Sequence, residues 1–276
     1  MVYPSISFIG AGNMARSLIG GLIADGYPVH RICVSDPNPD QLVTLAAQFN
    51  IRTGTDNIAA AGEADTLILA VKPQVLHDVV VEISDVVARN KTLVISIAAG
   101  IRESDIDRWL GIGTAAIVRA MPNTPALIQC GATALYANAR VTQEQRDLAE
   151  SVLRAVGLTL WLKDEALMDT ITALSGSGPA YFLLVMEILQ SVGTELGLDV
   201  ESSRLLTLQT AFGAAKMALE SADDPATLRE RVTSPGGTTE QAVRVLEEGG
   251  LRALISKAVR AARDRSEELA KQLGRN

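Results

Sequence analysis

The chain has 276 residues, 47% of them hydrophobic and 21% charged, with a formal net charge of −7. That length suffices for one large or two ordinary domains with buried cores. The acidic balance, with no basic run longer than a dipeptide, argues against nucleic acid as a partner.

Residues 5–9, Ser5-Ile6-Ser7-Phe8-Ile9, read as a short buried strand. They break into Gly10-Ala11-Gly12-Asn13-Met14-Ala15, and apolar residues then recur at helical spacing through Leu18, Ile19, Leu22 and Ile23. This is G-x-G-x-x-A with a strand before and a helix after, the setting a dinucleotide fingerprint requires. Gly10 permits the tight turn, Gly12 lets a pyrophosphate approach the backbone, and Ala15 lets the helix lie close to the strand. The helix N-terminus offers free N–H groups and a positive dipole end.

A second strand follows at 31–35, ending in Ser35, and Asp36-Pro37-Asn38-Pro39 forces a turn. Helix runs to about Phe49, a short strand lies near Ile51, and Asp56-Asn57 opens a short helix. Residues 66–71 are a continuous apolar run, as expected of a buried parallel strand. They lead into Lys72-Pro73 and a helix over about 74–88. Strands are expected at 92–97, ending in Ala98-Ala99-Gly100, and at 115–119. Residues 133–137 and 158–162 are expected to add edge strands, with a helix near 143–156 between them. Strand and helix in alternation imply a doubly wound, mostly parallel sheet, the Rossmann plan. Such a sheet binds its ligand beyond the strand C-termini, where Asn57, Val71-Lys72-Pro73 and Ala98-Ala99-Gly100 lie.

The character changes at 163/164, so residues 1–163 are expected to form the dinucleotide-binding domain and 164–276 an all-helical one. Residues 182–192 and 205–219 are apolar nearly all round, and such helices must be covered on all sides. A small helical domain cannot cover both alone, which points to self-association. The last helix, about 251–273, is amphipathic.

Two Gly-rich interruptions carry hydroxyls. One is Ser175-Gly176-Ser177-Gly178-Pro179, the other Ser234-Pro235-Gly236-Gly237-Thr238-Thr239 before a helix at 241–248. Each reads as a helix N-terminus able to hold a small carboxylate, or simply as an N-cap. Cys33, Cys130, His30 and His77 are too few and too scattered for a metal site. No signal peptide and no apolar stretch of membrane-span length is evident, so a cytoplasmic protein without a membrane partner is expected. No lysine occurs between Lys163 and Lys216. A chemistry needing little proton transfer from the protein fits, such as hydride delivery to an already protonated imine.

Six segments together resemble the pyrroline-5-carboxylate reductase family. They are Ile9-Gly-Ala-Gly-Asn-Met-Ala15, Ala70-Val-Lys-Pro73, Ser96-Ile-Ala-Ala-Gly100, Arg119-Ala-Met-Pro-Asn-Thr-Pro125, Leu174-Ser-Gly-Ser-Gly-Pro-Ala-Tyr181 and Val232-Thr-Ser-Pro-Gly-Gly-Thr-Thr239. They run in order along the whole chain, and the last is the most specific. The resemblance implies reduction of the cyclic imine to L-proline by NADPH or NADH. It also implies a homodimer intertwined through the helical domain, often assembled into a decamer.

By motif, it implies that Ile9, Gly10, Ala11, Gly12, Asn13 and Met14 cradle the pyrophosphate. Ser35 and Asn57 would meet the adenosine end, and Val71, Lys72, Pro73 and Ala99, with Ala98 and Gly100 beside it, would line the cofactor toward the nicotinamide. Glu165, Thr238 and Thr239 would contact the substrate, with Ser175 and Ser177 in the other Gly-rich segment. The substrate carboxylate would sit in the turn from Ser234 through Gly236 and Gly237, and the Thr239 hydroxyl near the ring nitrogen. Members favouring NADPH often carry a small hydroxyl or basic residue where Asp36 stands. An acidic residue there normally holds the ribose hydroxyls of NAD and repels a 2′-phosphate, which leaves NADP or NAD open. Two other readings compete. A dehydrogenase of the 3-hydroxyacid type needs a catalytic lysine on the first helix after the Rossmann domain, where none occurs. A nucleotide sensor without turnover needs no second anion site.

Overall fold

The structure is a computed structural model and describes residues 3–274. Strand β1 (Ile6–Ile9) is buried along its whole length. After it come α1 (Asn13–Ala24), β2 (Ile32–Ser35), α2 (Pro39–Phe49), β3 (Arg52–Gly54), α3 (Asn57–Gly62), β4 (Thr66–Leu69), α4 (Pro73–Asn90) and β5 (Leu93–Ser96). Then follow α5 (Glu103–Leu110), β6 (Ile117–Met121), β7 (Gly131–Ala137), α6 (Gln143–Arg154) and β8 (Gly157–Trp161).

The strands form one sheet in the order β3-β2-β1-β4-β5-β6-β7-β8. Neighbours are parallel except β6 and β7, which are antiparallel. The chain winds outward from β1 in both directions, so the expected doubly wound sheet is present. β1, β4 and β5 are continuous apolar or small-residue runs because helices cover both faces. One apolar layer packs α1, α2 and α6 on one face, and a second packs α4 and α5 on the other. Of the two strands expected at the edge only β8 is there; β7 lies between β6 and β8. No element is expected from the sequence at 103–110, yet α5 puts Ile106, Trp109 and Leu110 into the second layer.

Local chemistry fixes the helix ends. Asn38 caps α2 by accepting from the Asp40 N–H, with Pro39 opening the helix. Asp56 caps α3, and Thr142 and Gln145 form a reciprocal capping box on α6.

The remaining elements are α7 (Leu167–Ile171), α8 (Gly178–Glu195), α9 (Val200–Glu220), α10 (Pro225–Arg231), α11 (Thr238–Glu248) and α12 (Leu251–Leu273). The chain divides into two compact units. One runs up to Ser177 and takes back the stretch from Ala262 onward; the other is Gly178–Ala261. The composition change at 163/164 falls earlier than this division. Two contacts hold α7 and its successor to the first unit: Ser266 Oγ donates to Asp169 Oδ1 at 2.6 Å, and Asn123 Nδ2 reaches Ser175.

The segment around Ser175 corrects a second expectation. It is not an open helix start. Residues 172–176 form a π-turn in which the Ser177 N–H donates to the Thr172 carbonyl at 2.8 Å, and the helix continues into α8. A π-turn accommodates Pro179, which cannot donate to the carbonyl four residues back. That carbonyl, of Ser175, accepts from Asn123 Nδ2 at 3.3 Å instead. The helical run Leu167–Glu195 is therefore continuous, and its 29 residues meet the length and composition of a bilayer span. This differs from the sequence reading, which broke the run at the glycines.

In the second unit α8 and α9 lie side by side, joined where buried Ser203 donates to the Gln190 carbonyl at 2.6 Å. Their other faces are bare: Phe182 is 70% exposed and Leu219 84%. Such apolar surface is far from the habit of an isolated soluble chain.

Asn123 makes a testable point of the fold. Its Oδ1 accepts from the Ala132 N–H at 2.9 Å while its amide holds both the carbonyl and the hydroxyl of Ser175. Asn123→Ala leaves these part-buried groups unpaired and is expected to cost about 1–3 kcal/mol. The check is the urea midpoint at fixed protein concentration; an unchanged midpoint means that water replaces the amide.

Candidate active site

The first unit carries a cradle at the rim where β1, β2, β4 and β5 end. Gly10, at φ +104, turns the chain out of β1. A Cβ there would stand 2.6 Å from the Ala70 carbonyl oxygen, so only glycine fits. The Gly10 N–H donates to the Ser35 carbonyl, and the Ala70 N–H donates to the Ile9 carbonyl. Gly12 is the N-cap of α1, makes no side-chain cap, and has open space where a Cβ would point. Asn13 and Met14 begin the helix. An uncapped helix N-terminus beside open space is what a pyrophosphate needs.

Asp36 stands next to this turn. Its Oδ2 accepts from the Ala11 N–H at 2.8 Å and its Oδ1 from the Asn38 N–H at 2.8 Å. The carboxylate is thus fixed from two sides at the tip of β2. Ser35 is fully buried, and its hydroxyl donates to Asn57 Oδ1 at 2.8 Å, while Asn57 Nδ2 donates to Glu82 Oε2 at 2.8 Å. Ser35 therefore orients Asn57, which opens α3 on the rim.

Val71 and Lys72 follow β4, and Lys72 is the N-cap of α4 with Pro73 as its first residue. Lys72 is exposed and has no ion-pair partner among the described residues. Beyond β5, the Ala98 N–H donates to Ser96 Oγ at 3.3 Å, Ala99 is half-buried, and Gly100 lies against Leu269 and Ala270 of α12. Residues expected to bind the cofactor thus gather along one rim of one sheet, and the cradle fits a dinucleotide.

Glu165 is held through one carboxylate oxygen. Its Oε1 accepts from Arg119 Nη1 at 2.6 Å and from the Glu103 N–H at 2.6 Å. The Arg119 side chain is buried. Glu103 Oε1 in turn accepts from Asn138 Nδ2 at 2.7 Å. The β6–β7 register sets Tyr136 opposite Arg119. Burial first, then the charges of Glu165, Glu103 and Asp164, push the Tyr136 phenol up. From the sequence alone Arg119 stands out only within a motif, and nothing singles out Glu103, Tyr136 or Asn138. The charge of Arg119 inside an otherwise apolar strand was the available signal.

Ser175 and Ser177 lie in the π-turn, where the Ser177 N–H is spent on Thr172. Ser234, Gly236, Gly237, Thr238 and Thr239 belong to the second unit. Ser234-Pro235-Gly236-Gly237 is a tight turn: the Gly237 N–H donates to the Ser234 carbonyl at 3.0 Å, and Gly236 has φ +72. Proline second and positive-φ glycine third are the marks of a type II turn. Helix α11 begins at Thr238, earlier than the expected 241, with Gly237 as an N-cap lacking any side-chain bond.

This reassigns the donors. The Gly236 N–H goes to Glu240 Oε2 at 2.7 Å, and the Gly237 N–H closes the turn. The N–H groups without a partner among the described residues are those of Thr238, Thr239 and Glu240, the first three of α11. The glycines shape the turn; the helix start supplies the donors. Among the described residues no three His, Cys, Asp or Glu side chains are placed to hold a metal ion.

A dinucleotide cradle on a doubly wound sheet, followed by a helical unit with a bare apolar surface, defines an NAD(P)-dependent oxidoreductase that dimerises through its helical half. Comparison with known proteins gives the same two parts. A family model described as pyrroline-5-carboxylate reductase dimerisation matches residues 165–269, and one described as NADP oxidoreductase, coenzyme F420-dependent, matches residues 5–100. A pyrroline-5-carboxylate reductase of Pseudomonas aeruginosa is 50% identical over 274 residues, 99% of this chain and 100% of its own. The structure of a pyrroline-5-carboxylate reductase from Coxiella burnetii superposes with a TM-score of 0.93 at 49% identity, covering 97% of this chain and 99% of that one. That of a Plasmodium falciparum pyrroline carboxylate reductase with NADP bound gives 0.87 at 27% identity, covering 98% and 99%. The chain belongs to the pyrroline-5-carboxylate reductase family.

Asp36 gives the site its test. Asp36→Ser removes a fixed negative charge from beside the α1 N-terminus. It is expected to raise the ratio of kcat/KM for NADPH over NADH on the order of tenfold, while the freed Ala11 N–H weakens both cofactors. An unchanged ratio would show that Asp36 does not face the ribose.

Proposed function

We infer that the protein reduces 1-pyrroline-5-carboxylate to L-proline with NADPH or NADH, the last step of proline synthesis. The observation that carries the assignment to this site is the bare start of α11, three N–H groups without a partner among the described residues behind a Gly-Gly turn. The cofactor supplies, when bound, a hydride that adds to the imine carbon. Everything else asked of the chain is binding and orientation.

The substrate carboxylate is assigned to the N–H groups of Thr238, Thr239 and Glu240, beside the Ser234 hydroxyl. Anion and helix end are complementary there. The Thr239 hydroxyl is assigned to the ring nitrogen. Holding the nitrogen in one place fixes which face of the ring receives the hydride. Glu165, Ser175 and Ser177 are assigned to substrate binding as well; Glu165 keeps one carboxylate oxygen outside its bonds to Arg119 and Glu103. Hydride delivery to an imine that arrives protonated asks no proton of the chain. On the cofactor side the roles are those of the rim: Ile9 to Met14 for the pyrophosphate, Ser35 and Asn57 with Asp36 beside them for the adenosine end, and Val71 to Pro73 with Ala98 to Gly100 toward the nicotinamide.

The working division is 1–163 for the cofactor and 164–276 for substrate and dimer contacts. The dimer is taken to be intertwined through α8 and α9, whose exposed faces match a family model described as a dimerisation region. Higher assembly to a decamer and a cytoplasmic location complete the reading.

With the imine and NADPH, loss of absorbance by the reduced cofactor measures turnover, and open-chain 2-oxo or 3-hydroxy acids are expected to give none. Thr239→Ala is expected to lower turnover about 10²-fold, the order for loss of one positioned hydrogen-bonding group, with cofactor affinity kept. Thr239→Ser retains most activity. A pure helix-start role predicts about 1 kcal/mol of lost stability and full turnover, so an Ala variant that melts early yet works normally refutes the assignment. Sedimentation at micromolar concentration is expected to show no folded monomer; a stable monomer contradicts the dimer through α8 and α9.

A further inference from the structure

We propose that Glu240 sets the affinity of the substrate site by keeping a negative charge at the start of α11, where the substrate carboxylate must bind. The inference rests on the assignment of that carboxylate to α11. Glu240 occupies the third position of the helix, and its Oε2 accepts from the Gly236 N–H at 2.7 Å. That bond folds the side chain back over the turn instead of away from it. The carboxylate therefore stands beside the donors of Thr238, Thr239 and Glu240 itself. Among the described residues no ion pair offsets it: the nearest cation along the helix, Arg244, is engaged by Glu248 and Gln241.

Two effects follow from one side chain. The bond to Gly236 holds the turn in its φ +72 shape, which preorganises the donors. The charge draws on the same helix-end potential that the substrate requires and repels a second carboxylate. Glu240 thus shapes the site while weakening its grip, and an amide in its place separates the two. Glu240→Gln can still accept from Gly236 but carries no charge. Glu240→Lys reverses the charge and cannot accept.

The test uses the intact enzyme with saturating NADPH and two substrates: 1-pyrroline-5-carboxylate, and 1-pyrroline, the same ring imine without a carboxylate. Glu240→Gln is expected to lower KM for the carboxylate substrate about two- to fivefold, the size of one exposed charge acting at a helix end, and to leave KM for 1-pyrroline in place. Half-molar KCl shrinks the difference by screening. Glu240→Lys keeps the preference for the carboxylate substrate even if loss of the Gly236 bond raises both KM values. An unchanged or higher KM for the carboxylate substrate in Glu240→Gln, or an equal shift for both substrates, overturns the proposal. Thr239→Ala separates the failures. If it lowers turnover while Glu240→Gln shifts nothing, the site stands and the role of Glu240 falls. If neither variant changes the kinetics, the site assignment falls with it.

Discussion

The closeness of Gly10 to the Ala70 carbonyl governs the first unit. At this point the chain leaves β1, and a Cβ would stand 2.6 Å from the neighbouring backbone. The same few atoms tie three strands, through Gly10 to Ser35 at the end of β2 and Ala70 to Ile9 at the end of β4. Because β1 lies between β2 and β4 and the chain winds away in both directions, the crevice opens here. The uncapped start of α1, the fixed Asp36 and the Ser35–Asn57–Glu82 chain all take their places from that turn. Residues as distant in sequence as Lys72 and Gly100 join it because β4 and β5 continue the same rim.

Much of this was legible in the residues. The G-x-G-x-x-A turn, the all-apolar run of β4 and the proline after Asp36 are local signals, and the structure keeps all three. What escaped were features set by partners far along the chain. Ser175-Gly176-Ser177-Gly178-Pro179 reads as a break, since glycine and proline usually end helices. Here the Asn123 amide satisfies the carbonyl that Pro179 cannot serve, and the helix passes through. Glu165 is expected as a substrate contact, yet Arg119 and the Glu103 N–H, neither of them near it in sequence, claim one of its oxygens. At α11 the motif was legible but the division of labour was not. The glycines look like donors by their openness, whereas their N–H groups are used within the turn and the helix start carries the free ones.

The two units also differ in how they complete themselves. The first has cores on both faces of its sheet and recruits the last helix to close it. Ser266 reaches Asp169, and the Gly274 carbonyl accepts from Arg108 Nη2 at 2.5 Å. The second has no such closure: α8 and α9 touch along one seam and present their remaining faces outward. The stretch 167–195, which meets the length and composition of a membrane span, lies within the residues matched by a family model described as dimerisation.

The bare start of α11 has a kinetic meaning beyond recognition. The carboxylate it is assigned to hold is untouched by the reaction and is carried equally by imine, transition state and amino acid. Interaction energy gained there is uniform across the reaction coordinate. It deepens the well for every bound species and leaves the barrier between them unchanged. It also retards departure of the product as much as that of the substrate. Acceleration must come from groups that sense the changing atoms, the ring nitrogen and the carbon beside it, and turnover gains nothing from a tighter hold on the part that stays the same.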